Sequence, residues 1–382
     1  MLKLVCLLLD NLVTRGQFLY FSAKTPTNCL VYDQRKHKQC AYFPRSNNIC
    51  DFSEPENGIP FFCVRPGNET CPKQLIFTVS ILDMNKPNLV SGPFSKLGVT
   101  YQVAINGSGF TLSAATRNAE KKTEQADCTD SGSETYRDSV KKYRAGLETY
   151  ADSANGYFCG EVWHSFLCNN RIKTLDAAEH CLHNKTIYFI GDSTTRQLHL
   201  ELTSFFNITD KLSGNPRFRS NPRKAEDRSR NLVFYYKAHG LPIINPGPQT
   251  SHPPVVETLN NITNDNRDII VILNIGPHFT LQHPNVFVHR IFHIKRAIEA
   301  LRQRLPNVKI LVKDTVRNKY INSQLPGEWL LYRFDRIIRH VLSDVTYIDA
   351  WSMTTVQPQK TIHADAEMLR HFLALMFSHV CV

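Results

Sequence analysis

Three short stretches carry residues able to do nucleophilic chemistry. The first is Ile190-Gly191-Asp192-Ser193-Thr194-Thr195-Arg196, where an apolar run stops at Gly191 and a helix pattern begins just after Ser193. A serine at a strand-to-helix turn lies near the positive end of the helix dipole. Backbone N–H groups there can hold an oxyanion, which is usually the largest single catalytic contribution. Gly191 allows the sharp turn. Asp192 or Ser193 could equally be a plain N-cap, since both residue types cap well, but the place between strand and helix favours Ser193 as nucleophile. The second stretch, Asn274-Ile275-Gly276-Pro277-His278-Phe279, follows the most apolar run of the chain. Gly276 can bring its N–H close to a substrate, and His278 can donate or position a hydrogen bond. Taken alone it would read as a Gly-Pro turn with a surface histidine. The third is Thr361-Ile362-His363, between the last strand and the final helix. A serine nucleophile needs a base, a role contributing about 10²–10⁴-fold, and among 15 histidines His363 is singled out by its place.

The elements around these stretches alternate. Strand patterns occur at 186–190, 232–236, 268–274, 308–312 and 345–350, and helix patterns at 195–206, 288–305, 329–342 and 366–379. The run Asp268-Ile-Ile-Val-Ile-Leu-Asn274 suits a strand covered on both faces. In the second helix Ile291, Ile294, Ala297, Ile298 and Leu301 form a core face, leaving Arg290, Lys295, Arg296, Arg302 and Arg304 mainly outward. Such alternation implies an open, mostly parallel α/β sheet with its site at the strand C-termini.

Upstream the pattern changes. Residues 24–110 are cysteine-rich, with short strand-like pieces at 61–64, 75–79 and 99–103 between turn residues. Residues 111–156 are charged and poor in aliphatic bulk, reading as a linker or a solvated helix. The α/β part is then 157–382, and 1–23 is a leader or an incomplete N-terminus: residues 2–9 are apolar apart from Lys3, but Asp10 and Arg15 interrupt the run.

The chain of 382 residues suits two or perhaps three domains at roughly 100–200 residues each. Its composition, 42% hydrophobic and 21% charged, excludes a disordered or collagen-like chain. It has no apolar stretch long enough for a conventional spanning helix. Setting Cys6 aside leaves ten of the eleven cysteines, an even set whose connectivity cannot be read from spacing. No CxxC occurs, so a zinc site is poorly supported and no metal is expected. Sequons at Asn68, Asn106, Asn184, Asn207 and Asn261 join the cysteines in favouring the secretory pathway, lumenal or extracellular. The +11 net charge raises the question of an acidic partner. The basic stretch 217–230 has only Phe218 interleaved, and reads as a solvated loop. No nucleic acid is expected; an anionic glycan is the better candidate ligand.

A set of local motifs spans most of the chain. They are Cys29-Leu-Val-Tyr32, Cys40-Ala-Tyr42 and Phe62-Cys-Val-Arg-Pro66 followed by Cys71, then Val162-Trp163, Cys168, Cys181 and Ile187-Tyr-Phe-Ile-Gly-Asp-Ser-Thr-Thr-Arg-Gln197. Gly276-Pro-His-Phe279, Ile348-Asp-Ala-Trp351 and Cys381 complete the set. Together they resemble the neurexophilin and PC-esterase domain (NXPE) family, with the Gly-Asp-Ser-Thr-x-Arg-Gln stretch the most specific. The resemblance implies a flavodoxin-like, GDSL/SGNH-type parallel sheet preceded by a small cysteine-rich β-containing region. It implies a serine esterase or O-acetyltransferase acting on glycan hydroxyls, with no bound cofactor and an acyl-CoA as a compatible donor. By it Ser193 is the nucleophile and His363 the base, while Asp192, Gly276 and His278 line the oxyanion and substrate side. The implied acceptor is a glycan or glycoprotein. Family enzymes usually carry Asp-x-x-His, but Lys360 stands at that position; Asp349 and Asp365 are the substitutes, and both stay open. Family chains also extend further at the N-terminus, so the first region is read as shortened. The alternative is a catalytically silent extracellular binding or signalling glycoprotein that engages a cell-surface protein.

Overall fold

The computed structural model describes residues 18–22, 25–30, 49–58, 62–64, 70–71, 76–77, 155–212, 222–240, 247–248, 252–281, 284–317 and 328–381. The strand piece expected at 99–103 lies outside them, as does the expected linker except for Asn155 and Gly156.

Five short strands come first: β1 (Phe18–Ser22), β2 (Thr25–Leu30), β3 (Ile49–Asp51), β4 (Phe62–Val64) and β5 (Ile76–Phe77). β1 falls within the stretch expected as a leader and pairs antiparallel with β2. A hairpin follows, β6 (Gly156–Cys159) and β7 (Val162–Ser165), turned by Gly160 at φ 59°. The remaining elements are β8 (Lys185–Gly191), α1 (Ser193–Phe205), β9 (Asp210–Leu212), β10 (Arg223–Asp227), β11 (Leu232–Ala238), β12 (Gly247–Pro248), α2 (Val255–Asn260) and β13 (Asp268–Leu273). They continue through α3 (Pro284–Arg304), β14 (Lys309–Lys313), α4 (Glu328–Val341), β15 (Thr346–Ile348), α5 (Ala350–Val356) and α6 (Ala366–Val380).

The larger sheet has the order β15-β14-β13-β8-β11-β10-β9. Its first five strands are parallel, and β10 and β9 add an antiparallel edge. Numbered among themselves, the parallel strands run 2-1-3-4-5, the flavodoxin-like doubly wound order, whose switch point lies between the first and third strands. Those strands are β8 and β13. The smaller sheet has the order β12-β5-β1-β2-β4-β3, so two residues from the α/β part complete the cysteine-rich part. Gly247 lies opposite Phe77 and Pro248 opposite Ile76.

Strand alternation divides the apolar side chains between two cores. Ile187, Phe189, Ile270 and Ile272 pack with Leu198, Leu202 and Phe372 on the face covered by α1 and α6. Ile190, Ile269, Val271 and Leu273 pack with Leu259, Ile291 and Phe334 on the face covered by α2, α3 and α4. Each such side chain contributes about 1.5–3 kcal/mol when fully buried. β13 is buried from Ile269 onward, as its continuous apolar run requires. Ile291, Ile294, Ala297, Ile298 and Leu301 are all in the core.

Several expectations are corrected. Arg290 is not outward but 3% exposed, with its guanidinium 4.8 Å from the centre of the Phe279 ring. Burial brings its pKa down to about 9, with Glu54 acting the other way. That charge effect, and the His293 Nδ1 contact to the Glu56 carbonyl at 3.0 Å, tie the cysteine-rich part to α3. The basic stretch 217–230 is not simply a loop, because 223–227 is β10 with Ala225 fully buried. Its Arg223 pairs with Asp210, and its neighbour Arg230 with Asp227 and Glu179. The strand expected at 345–350 stops at Ile348, where Asp349 caps α5. Cys159 is an exposed free thiol, so setting Cys6 aside does not leave five pairs.

Two disulfides are described, Cys50–Cys71 and Cys181–Cys381. The second closes a loop of 200 residues and fastens the end of α6 to the segment before β8. We expect Cys181→Ser with Cys381→Ser to lower the unfolding free energy by about 2–5 kcal/mol. Urea denaturation with and without reductant checks this: reduction should cost the wild type at least as much as the double variant has lost.

Candidate active site

β8 ends at the switch point, and its last residue leaves no room for a side chain. A Cβ on Gly191 would lie 2.3 Å from Thr195 Oγ1 and 2.7 Å from the Asn274 carbonyl oxygen. α1 therefore starts at once. Asp192 caps it, its Oδ1 accepting from the Thr194 N–H at 2.8 Å and from Thr194 Oγ1 at 2.7 Å. Ser193 is the first helical residue, and its own N–H has no intrahelical acceptor.

His363 reaches Ser193 from the segment between α5 and α6. Its Nε2 is 2.7 Å from Ser193 Oγ. Several hydrogen bonds hold that segment. The His363 N–H donates to Thr361 Oγ1, Gln197 Nε2 on α1 donates to the Ala364 carbonyl, and Asp365 N–H donates to the Gln359 side chain. Desolvation lowers the His363 pKa, Asp192 opposes and Arg196 adds to the lowering, so the imidazole is neutral at pH 7. A neutral imidazole at 2.7 Å can accept the Ser193 hydroxyl proton.

Behind this pair lies a sealed polar layer. His278, from the turn after β13, and His239, one residue past β11, are both buried and meet Nδ1 to Nε2 at 2.9 Å. Burial opposes ionisation of Asp192. His278, His239, Lys313 and Thr194 favour it, and the carboxyl is held below its ordinary value. Burial depresses both histidines as well, so at neutral pH the lasting support for the anion is Lys313 and Thr194. Asn274 is fully buried, its Nδ2 donating to the Lys313 and Asp314 carbonyls.

Gly276 meets the same layer from the other side. A Cβ there would lie 2.3 Å from Thr315 Cγ2, and Thr315 cannot turn away freely because its Oγ1 donates to Asp335.

The expected site residues are thus partly brought together. Ser193, His363, Asp192, Gly276 and His278 share the C-terminal edge of the sheet. Asp349 does not join His363: Asn155 Nδ2 donates to its Oδ2 at 2.8 Å, the Ser352 N–H to its Oδ1, and Arg339 lies 3.6 Å away. Asp365 caps α6 through the Met368 N–H. Among the described residues no carboxylate hydrogen-bonds His363. No group of three metal-ligating side chains converges among the described residues. Asn184, Asn207 and Asn261 are exposed and lie at the opposite edge, before β8, after α1 and after α2 respectively. Asn68 and Asn106 lie outside the described residues. His239, Gln197 and the side chain of Asn274 were not anticipated as site residues. Only Asn274 and Gln197 carried a signal, by standing inside quoted motifs.

We expect Gly276→Ala to cost about 1–3 kcal/mol by overpacking against Thr315. Adding Thr315→Ser, which removes Cγ2 and keeps the hydroxyl, should recover most of that loss. Urea unfolding of the two variants measures both.

Residues 163–381, more than half of the chain, match the domain family described as NXPE family member 4-like, C-terminal domain. That span holds the whole larger sheet and every residue of the Ser193 edge, and the chain belongs to the NXPE family.

Proposed function

We propose that the chain is a secretory-pathway glycoprotein whose SGNH-type α/β part moves or removes an acyl group on a glycan hydroxyl through Ser193, with His363 as base. The observation that carries this reading is the 2.7 Å contact from Ser193 Oγ to His363 Nε2 at the switch point. As Ser193 Oγ bonds to the carbonyl carbon of an acyl ester or of an acyl-CoA thioester, His363 Nε2 takes its proton. The carbonyl electron pair moves to oxygen, where the N–H groups of Ser193 and Gly276 and the His278 ring can meet it. The leaving oxygen or sulfur departs with its bond pair and the proton from His363, and the acyl group stays on Ser193. A sugar hydroxyl or water then attacks in the same way. Disulfides and exposed sequons support the secretory placement, and no helix among the described residues is long and apolar enough to cross a membrane. With Arg223 and Arg230 engaged by carboxylates, the basic strand gives little support to nucleic-acid binding.

One observation favours a second reading, a binding glycoprotein without catalysis. His363 Nδ1 has no hydrogen-bond acceptor among the described residues, so no acid among them orients the ring. The first reading stands because the third member of a triad mainly orients and stabilises the base.

A fluorophosphonate probe separates the two. We expect labelling of the wild type, none in Ser193→Ala, and a loss of about 10²–10⁴-fold in His363→Ala. The labelling rate should be flat above the ordinary histidine value of about 6.5 and fall only below it, since the His363 pKa is lowered. A folded protein that neither labels nor transfers acetyl on a glycan array leaves the binding reading. Protein from secreting cells should lose mass on endoglycosidase treatment, and unchanged mass would remove the secretory placement.

A further inference from the structure

We propose that His239 is a positioning residue, which fixes His278 in the tautomer that carries its proton on Nε2 and so turns His278 into a hydrogen-bond donor at the Ser193 edge. The role of that donor rests on the acyl-transfer reading above; the tautomer does not.

The two histidines come from strands on either side of β8. Ala238 is the register partner of Gly191, so His239 leaves β11 level with Asp192. His278 leaves the β13 side, and the two rings meet at 2.9 Å. The contact is enclosed. His239 is 3% and His278 7% exposed, and the Phe279 ring packs 4.7 Å from that of His239. Gly240, at φ 75°, then turns the chain against Pro254, where a Cβ would be 3.0 Å from Pro254 Cα. His239 is therefore held from three sides.

Burial keeps both rings neutral, and His278 adds to the lowering at His239. Two neutral imidazoles joined through one hydrogen bond have two arrangements. If His239 Nε2–H donates, His278 holds its proton on Nε2, and the remaining nitrogen of His239 is a bare lone pair. If His278 Nδ1–H donates, the remaining nitrogen of His239 is an N–H. That nitrogen, His239 Nδ1, is sealed from solvent and makes no hydrogen bond; the backbone acceptor that acts on the ring is the residue's own. A sealed donor without an acceptor is rarer in folded proteins than an acceptor left unfilled. The first arrangement is the one that avoids it.

The consequence lands on His278 Nε2, at the far end of the ring from the contact. This atom is not among the sealed, partnerless polar atoms. The ring also feels the charges of Asp192 and His363, which places it beside the Ser193 pair. A neutral N–H there can receive an oxyanion; a bare nitrogen would repel it. Removing one such donor typically costs about 10²–10³-fold in rate.

The experiment uses the whole chain with ¹⁵N-labelled histidine. Imidazole ¹⁵N shifts of the wild type should show His278 protonated on Nε2. His239→Gln, whose amide N–H can replace the lost donor, should keep that state and a labelling rate within about threefold of wild type. His239→Phe should leave His278 as a tautomer mixture and label at least about tenfold more slowly, as expected for partial loss of one donor. A wild-type His278 protonated on Nδ1 overturns the proposal, as does an unchanged His278 in His239→Phe. The wild-type spectrum decides the tautomer even if His239→Phe does not fold. If no form labels, the acyl-transfer reading fails, and the spectra still decide what His239 does to His278.

Discussion

At the end of β8 a side-chain hydroxyl and a backbone carbonyl approach so closely that only hydrogen fits where a side chain would be. The Thr195 hydroxyl and the Asn274 carbonyl both lie inside the space a Cβ on Gly191 would need. This contact puts the start of α1 against the exit of β13, and the two neighbouring loops consequently share one edge. A larger residue would separate them, and Ser193 would part from Gly276 and His278. The rest of the layer arrangement serves the same junction. β8 is held between β11 and β13 by continuous parallel pairing, and its alternating side chains reach both cores.

The junction is backed by charge as well as by packing. Lys313 at the end of β14, Asp314 just past it and Asp335 on α4 are all buried, with Arg339 reaching in from α4 to pair with Asp314. Burial pushes the Asp314 carboxyl well up, Arg339 opposing and Asp335 and Asp349 adding to the rise. Such a network is weak support for stability by itself, but removing one member of a buried pair typically costs about 3–5 kcal/mol. Here it holds Thr315 against Gly276 and presents two carbonyls to Asn274. The acids thus act as a stiff wall behind the site.

Much of this was legible in the residues. The 3.6-residue spacing of Ile291 to Leu301 and the unbroken apolar run of β13 report burial directly, because each pattern has one geometric solution. Ser193 was legible through its position, since a glycine followed by two capping residues marks a strand-to-helix turn. His239 was not legible. Its partner stands 39 residues away, and no spacing rule links two strands that flank a third. Arg290 misled for a related reason: a lone arginine reads as outward, and the Phe279 ring and the Glu54 charge that meet it when buried come from other segments. Short helices such as α2 and α5 also escaped, being too brief for a periodic pattern. Asp349 was visible as an acid at a strand end, but Asn155 lies 194 residues earlier and occupies it.

The pairing of β12 with β5 has a consequence for the order in which the molecule can be made. β5 emerges from the ribosome with an unpaired edge, and Gly247 does not follow until four of the seven strands of the larger sheet have been made. Cys181 waits still longer for Cys381, 200 residues later, roughly 10–40 s at about 5–20 residues per second. Until Gly247 arrives an open strand edge, and until Cys381 arrives a waiting thiol, is available to the wrong partners, and Cys159 is a free thiol nearby in sequence. The first part of the chain therefore cannot be finished first: its sheet waits for Gly247 and Pro248, and the bond at Cys181 for Cys381.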